Sequence, residues 1–171
     1  MAATPASSPR SPQSRSTNDR SAARLAAVQA LYQSDVTDAS IDQIIKDFLS
    51  GRIGGIAIVA DEDTEKESVV QLTELDTELF VALMRGVQAR GDDIDSMIKG
   101  SISTEWPWER LEMTLRALLR VGTAELLTQS KIPPKVSIAE FVDVAHAFYA
   151  GPEPRMVNAV LDRIAKALGR A

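Results

Sequence analysis

The side chains able to do chemistry in this 171-residue chain are few in kind. There is one histidine, His146, and no cysteine. A serine triad needs histidine as its base, so His146 is the only candidate for that role. It falls in a helical stretch beside Val144 and Ala147 with no nucleophile motif nearby, and reads as a structural or surface histidine. One imidazole and no thiolate exclude multi-histidine and cysteine-rich zinc sites. Carboxylates are plentiful but scattered, and no spacing marks a general acid facing a general base. Neither an enzyme nor a cofactor or metal is expected.

Binding is the chemistry the residues do offer. Arg20 and Arg24 stand four apart, so they share one face of a helix. With Arg10 and Arg15 they give residues 1–24 a net charge of +3, while the whole chain carries −5. A cationic arm on an acidic body follows from this; a solubilising tail is the competing reading. The negative total argues against a protein that coats nucleic acid indiscriminately. Arginine forks suit phosphate and guanine edges. Single-stranded RNA is gripped by such charge together with aromatic stacking. Tyr32, Trp106, Trp108, Phe148 and Tyr149 are the aromatics that could supply it, and a core role is the alternative for each. Lys135 precedes a helical stretch, where a phosphate would meet its charge and free amides together. A solvated loop lysine is the other reading.

Two sharper motifs fail. Gly51-Arg52-Ile53-Gly54-Gly55 lacks the lysine of a phosphate-binding loop, and the run Asp61–Glu67 after it would repel phosphate. Asp92, Asp93 and Asp95 lack the glycine and closing glutamate of a calcium loop, and instead complement a helix N-terminus.

The elements that must position these residues are helical. Residues 1–17, rich in Ser, Pro and Ala, cannot bury enough apolar surface to order themselves. From Arg20 onward Leu25, Val28, Leu31 and Tyr32 recur at helical spacing, and five alanines give that helix a thin profile. Ser40 with Gln43 forms a capping box before the stripe Ile41, Ile44, Ile45, Phe48. Residues 50–68 read as a loop or insertion. Helices are expected over Thr73–Arg90 and Asp92–Ile98, and from Trp106-Pro107-Trp108 to Gln129, with Gly122 at a close crossing. Ser137-Ile138-Ala139-Glu140 is read as a second capping box, opening a helix that ends near Phe148. Gly151–Pro154 reads as a turn, and Val157, Val160, Leu161, Ile164 and Leu168 as a final helix closed by Gly169. The sum is an all-α chain of about seven helices. No apolar run reaches the ~20 residues that span a bilayer, and the N-terminus has no signal-like apolar core. The cytoplasm is the expected location.

Several blocks together resemble one family. Ile132-Pro133-Pro134-Lys135-Val136-Ser137-Ile138-Ala139-Glu140 is similar to the NusB signature, in which a Pro-containing turn precedes Lys-Val-Ala-Ile-Asn-Glu. Phe148 takes the family's aromatic position at the end of that helix. Met156-Val157-Asn158-Ala159-Val160-Leu161-Asp162 resembles the family's Phe-Val-Asn-Gly-Val-Leu-Asp. Leu119-Arg120 with Glu125-Leu126, and Ala23-Arg24 with Ala27–Tyr32, match further blocks. The likeness covers about 20–35 and 105–168. Ser21 and Ala22 stand where other members are basic, and Pro152 where they are often acidic.

This resemblance to transcription antitermination factors of the NusB family implies two packed helical subdomains, about 19–100 and 101–171, behind a disordered tail, 1–18. It implies binding of boxA-type single-stranded RNA, with the ribosomal protein NusE as partner. The pair would join a transcription elongation complex and promote processive transcription of ribosomal RNA operons. Carried over by position, Arg20, Arg24, Tyr32, Lys135, Phe148, Arg155 and Met156 would bind RNA. The helix with Leu115, Arg116 and Arg120 would face NusE. Some members self-associate, so a homodimer stays open. Spread arginines and the acidic total keep a second reading alive, a protein–protein module with little RNA binding of its own. A fused RNA methyltransferase, found behind this domain in relatives, is not expected in 171 residues.

Overall fold

A computed structural model describes residues 12–50, 56–59, 68–71 and 74–170, with side chains from 19–50 and 77–170. Among these residues the chain is helical: α1 (Pro12–Thr37), α2 (Ile41–Leu49), α3 (Glu74–Lys99), α4 (Met113–Thr128), α5 (Pro134–Phe148) and α6 (Glu153–Ala167). The all-α expectation holds, with two local additions. Strands β1 (Ile56–Val59) and β2 (Ser68–Gln71) pair antiparallel between α2 and α3, Ala57 opposite Val70 and Ile58 opposite Val69. They fall partly in the stretch read as a loop. Their β-branched residues suit a strand, a signal that four-residue runs carry too weakly to outweigh the flanking glycines and acids. A 3-10 turn, Trp108–Arg110, precedes α4. The proposed tail lies outside the described residues as far as residue 11; beyond it α1 begins, at Pro12.

Several boundaries follow from the local chemistry. Ser40 Oγ accepts the Gln43 backbone N–H at 3.1 Å, the expected cap of α2. The two helices expected over 73–98 are both present, run together as α3 and separated by the non-helical Arg90 (φ −122°, ψ 23°) just before Gly91. The second capping box does not form. Pro134 at the first position starts α5 three residues earlier than Ser137, whose hydroxyl is buried.

One apolar core joins all six helices. Ala23, Ala26, Ala27 and Ala30 let α1 lie close against α3 and α4. Helix α4 is the central element, touching α1, α3, α5 and α6. Its crossing with α5 and α6 is set by Gly122, where a Cβ would stand 3.1 Å from Leu161 Cδ1 and 3.4 Å from Phe141 Cγ. The chain closes on Gly169, at φ +69°, and on Arg170, whose guanidinium donates to the carbonyls of Leu126, Gln129, Ser130 and Ile132. That one cation ties down the connection between α4 and α5.

Candidate nucleic-acid interface

Arg20 and Arg24 part company in the folded chain. Arg20 is exposed, whereas Arg24 retains 1% of its surface. Its Nε lies 2.7 Å from Glu125 Oε1, and its Nη1 3.5 Å from Glu140 Oε2. Ser21 Oγ donates to the same Glu140 oxygen at 2.6 Å. The expectation that Arg24 contacts RNA is therefore corrected: its guanidinium is the buried link between α1, α4 and α5. Four residues advance a helix by about 400°, so the two arginines are ~40° apart and straddle the edge of the buried face. A charge that deep is tolerated only with partners of opposite sign, and two carboxylates supply them.

The Ser21–Glu140 bond also places the first half of α1 against the first half of α5. Lys135 is exposed in the first turn of α5, about 7.5 Å along the axis from Glu140. Phe148, at the other end of α5, is 40% exposed, and Tyr32 on α1 is 39% exposed. Arg155 is exposed on α6. Arg20, Lys135 and Arg155 have no ion-pair or hydrogen-bond partner among the described residues. Met156 does not join them. It is buried, because position 156 lies on the apolar stripe with Val157, Val160 and Ile164.

Sequence reasoning passed over some neighbours of Arg155. An open cleft of ≈ 510 Å3 between α5 and α6 gathers His146, Arg155 and Asn158 over Val142 and Pro154. The clue was available in spacing: His146 lies one helical turn beyond Val142, on the same side of α5. A second cleft sets Trp106 beside Arg155 and Arg163. Tyr149 is half-buried, and burial, then the neighbouring Glu112 carboxylate, pushes its phenol well above the ordinary value. Its buried hydroxyl has no hydrogen-bond partner among the described residues.

The α4 side is differently built. Leu115 is buried at 2% exposure, which corrects its expected place on a partner-facing surface: it belongs to the α4 stripe that fills the core. Arg116 and Arg120 are half-buried and already engaged. Arg116 Nη2 donates to the Trp108 carbonyl, and its guanidinium lies 4.8 Å from the Trp108 ring centroid. Arg120 forks onto Asp95 at 2.8 and 3.0 Å and reaches Asp35 at 3.3 Å. Arg120 and Lys99 Nζ each stand 5.3 Å from the Trp108 ring centroid. Three cations thus converge on one indole. The Asp95 hydrogen bond holds Arg120 even more firmly protonated. Burial raises the Asp35 carboxyl above its ordinary value despite Arg120.

What this describes is a helical scaffold that spends some cations on its own architecture and leaves others free at its surface. Residues 21–166 match the NusB family model, and the chain belongs to that family. The transcription antitermination protein NusB of Rhodospirillum rubrum is 52% identical over 152 residues, spanning 85% of this chain and 82% of its own. That of Agrobacterium fabrum is 39% identical over 158 residues, covering 92% and 90%. Among solved structures, T. maritima NusB superposes with a TM-score of 0.67 at 28% identity, over 86% of this chain and 90% of that one. A chain in the crystal structure of antitermination factors NusB and NusE in complex with dsRNA gives 0.62 at 24% identity, over 88% and 98%, and shares the fold.

Proposed function

We propose that the chain is a non-enzymatic, cytoplasmic transcription antitermination factor that binds boxA-type single-stranded RNA together with NusE. The pair would act on an elongation complex at ribosomal RNA operons. The observation that carries the reading is that Arg20, Lys135 and Arg155 are unpaired, exposed cations on α1, α5 and α6, the first two of which also expose Tyr32 and Phe148. Free cations meet phosphates with little internal rearrangement, while half-exposed rings receive unstacked bases. Membership of a family whose relatives carry antitermination in their names supports the same reading.

NusE would meet the α4 side. There Trp108, Arg116 and Arg120 form a braced, half-buried cluster whose guanidinium groups are already engaged by Asp95, Asp35 and the Trp108 carbonyl. If RNA and NusE favour one arrangement of the protein, each strengthens binding of the other by the same factor.

The experiment is an equilibrium titration of labelled boxA-type RNA with the full chain, with and without NusE, at several salt concentrations, beside a mass measurement of the free protein. Salt-sensitive binding that NusE strengthens is expected. NusE binding without any RNA-dependent gain would favour the protein–protein module, a reading supported by the withdrawal of Arg24 from the surface.

A further inference from the structure

Between α1, the start of α3 and the α4–α5 connection lies an open cleft of ≈ 350 Å3. Arg20 and Lys131 both line it; both are exposed, and neither has an ion-pair or hydrogen-bond partner among the described residues. The floor is apolar, formed by Leu79 and Ile132, each 8% exposed. Glu78 and Gln129 complete the lining, and Glu78 pairs with neither cation. The connection that carries Lys131 is held in place: Arg170 donates to the Gln129, Ser130 and Ile132 carbonyls, and the Ile132 N–H donates to the Gln129 carbonyl at 3.1 Å.

We infer that this cleft is a nucleotide subsite for single-stranded RNA, with Lys131 as an RNA-binding residue. The inference rests on the RNA-binding reading above and adds Lys131 to the proposed surface around Arg20. Two unpaired cations lining one cleft suit a phosphodiester, whose charge they share. The apolar floor suits the face of a base. Glu78 is acceptor-only when ionised, so it takes a hydrogen bond from a ribose hydroxyl or a base amino group, and it disfavours a second phosphate on that side. A cleft built to hold a carboxylate or free phosphate alone would need neither the apolar floor nor the acceptor. Because Arg170 fixes the backbone around Lys131, little ordering remains to be done when RNA arrives.

The test titrates labelled boxA-type single-stranded RNA against the full chain at several salt concentrations, comparing wild type with Lys131→Gln, Lys131→Arg and Lys135→Gln. For single strands, log K falls with log salt at about 0.7 per phosphate neutralised. Lys131→Gln therefore lowers the slope by ~0.7 and the affinity ~5-fold near 0.1 M salt. Lys131→Arg retains both. Unchanged affinity and slope in Lys131→Gln, with a loss in Lys135→Gln, would overturn the subsite and leave the RNA reading standing. Wild type that binds no RNA would overturn that reading, and the subsite with it. Lys131 is exposed, so equal thermal midpoints for the three variants and wild type are expected alongside.

Discussion

Arg24 Nε and Glu125 Oε1 lie 2.7 Å apart, 101 residues apart in sequence, with 2% and 0% of their side chains exposed. This pair, extended by Glu140 and Ser21, welds α1 to α4 and α5. It makes Arg24 a residue of the fold, so the proposed RNA surface rests on Arg20 and the cations of α5 and α6.

Removing one partner of a buried pair leaves the other charge stranded. Arg24→Ala should cost ~3–5 kcal/mol in urea unfolding. Arg24→Met combined with Glu125→Leu should recover much of that, because it removes both charges and keeps the volume. A loss in Arg24→Ala no larger than the ~1 kcal/mol of a surface pair would contradict the burial.

The fold was legible where its cause is local. Ser40 with Gln43 announced the start of α2, Gly122 the helix crossing, and Gly169 the end of the chain's last helix. The site was less legible because its decisive contacts are not local. Nothing near Arg24 in sequence says that Glu125 and Glu140 will meet it. A glutamate inside Val121–Leu127, a stretch with no other charge, is the available hint. Glu140 was read as a cap for its own helix because Ser137 precedes it by three; Pro134 began the helix first, and Glu140 turned to α1 instead. Leu115 and Met156 lie on apolar stripes, and family position alone had brought them to the surface.

Gly122 admits no larger residue without movement of its neighbours. Gly122→Ala would press a methyl against both Leu161 methyls, at 3.1 and 3.2 Å, and against the Phe141 ring. A loss of ~1–3 kcal/mol is expected from such overpacking, outweighing the helix propensity gained. Leu161→Val in the Gly122→Ala background should raise the thermal midpoint again. If Gly122→Ala melts no lower than wild type, the crossing is looser than described.

Two aspartates give opposite pH signatures. Burial raises the Asp35 carboxyl above 3.8, so its contribution to stability is complete below pH 3.8 and is lost as pH rises through the raised value. The hydrogen bond and charge of Arg85 lower Asp42, so its contribution is present above pH 3.8 and is lost as pH falls through the lowered value. Relative to wild type, Asp35→Asn should gain stability as pH rises past 3.8, while Asp42→Asn should gain it as pH falls below 3.8, where wild type loses the Arg85 contribution. Denaturant midpoints from about pH 2 to 7 read both trends; parallel curves for the two variants would contradict the assignment.

The most direct test of the account is the salt dependence of boxA-type RNA binding in a Lys135→Gln/Arg155→Gln double variant, with the natively folded chain as reference. Two lost phosphate contacts should lower the slope of log K against log salt by ~1.4 and leave the thermal midpoint unchanged. An unaltered slope would contradict the claim that the unpaired cations of α5 and α6 carry the RNA.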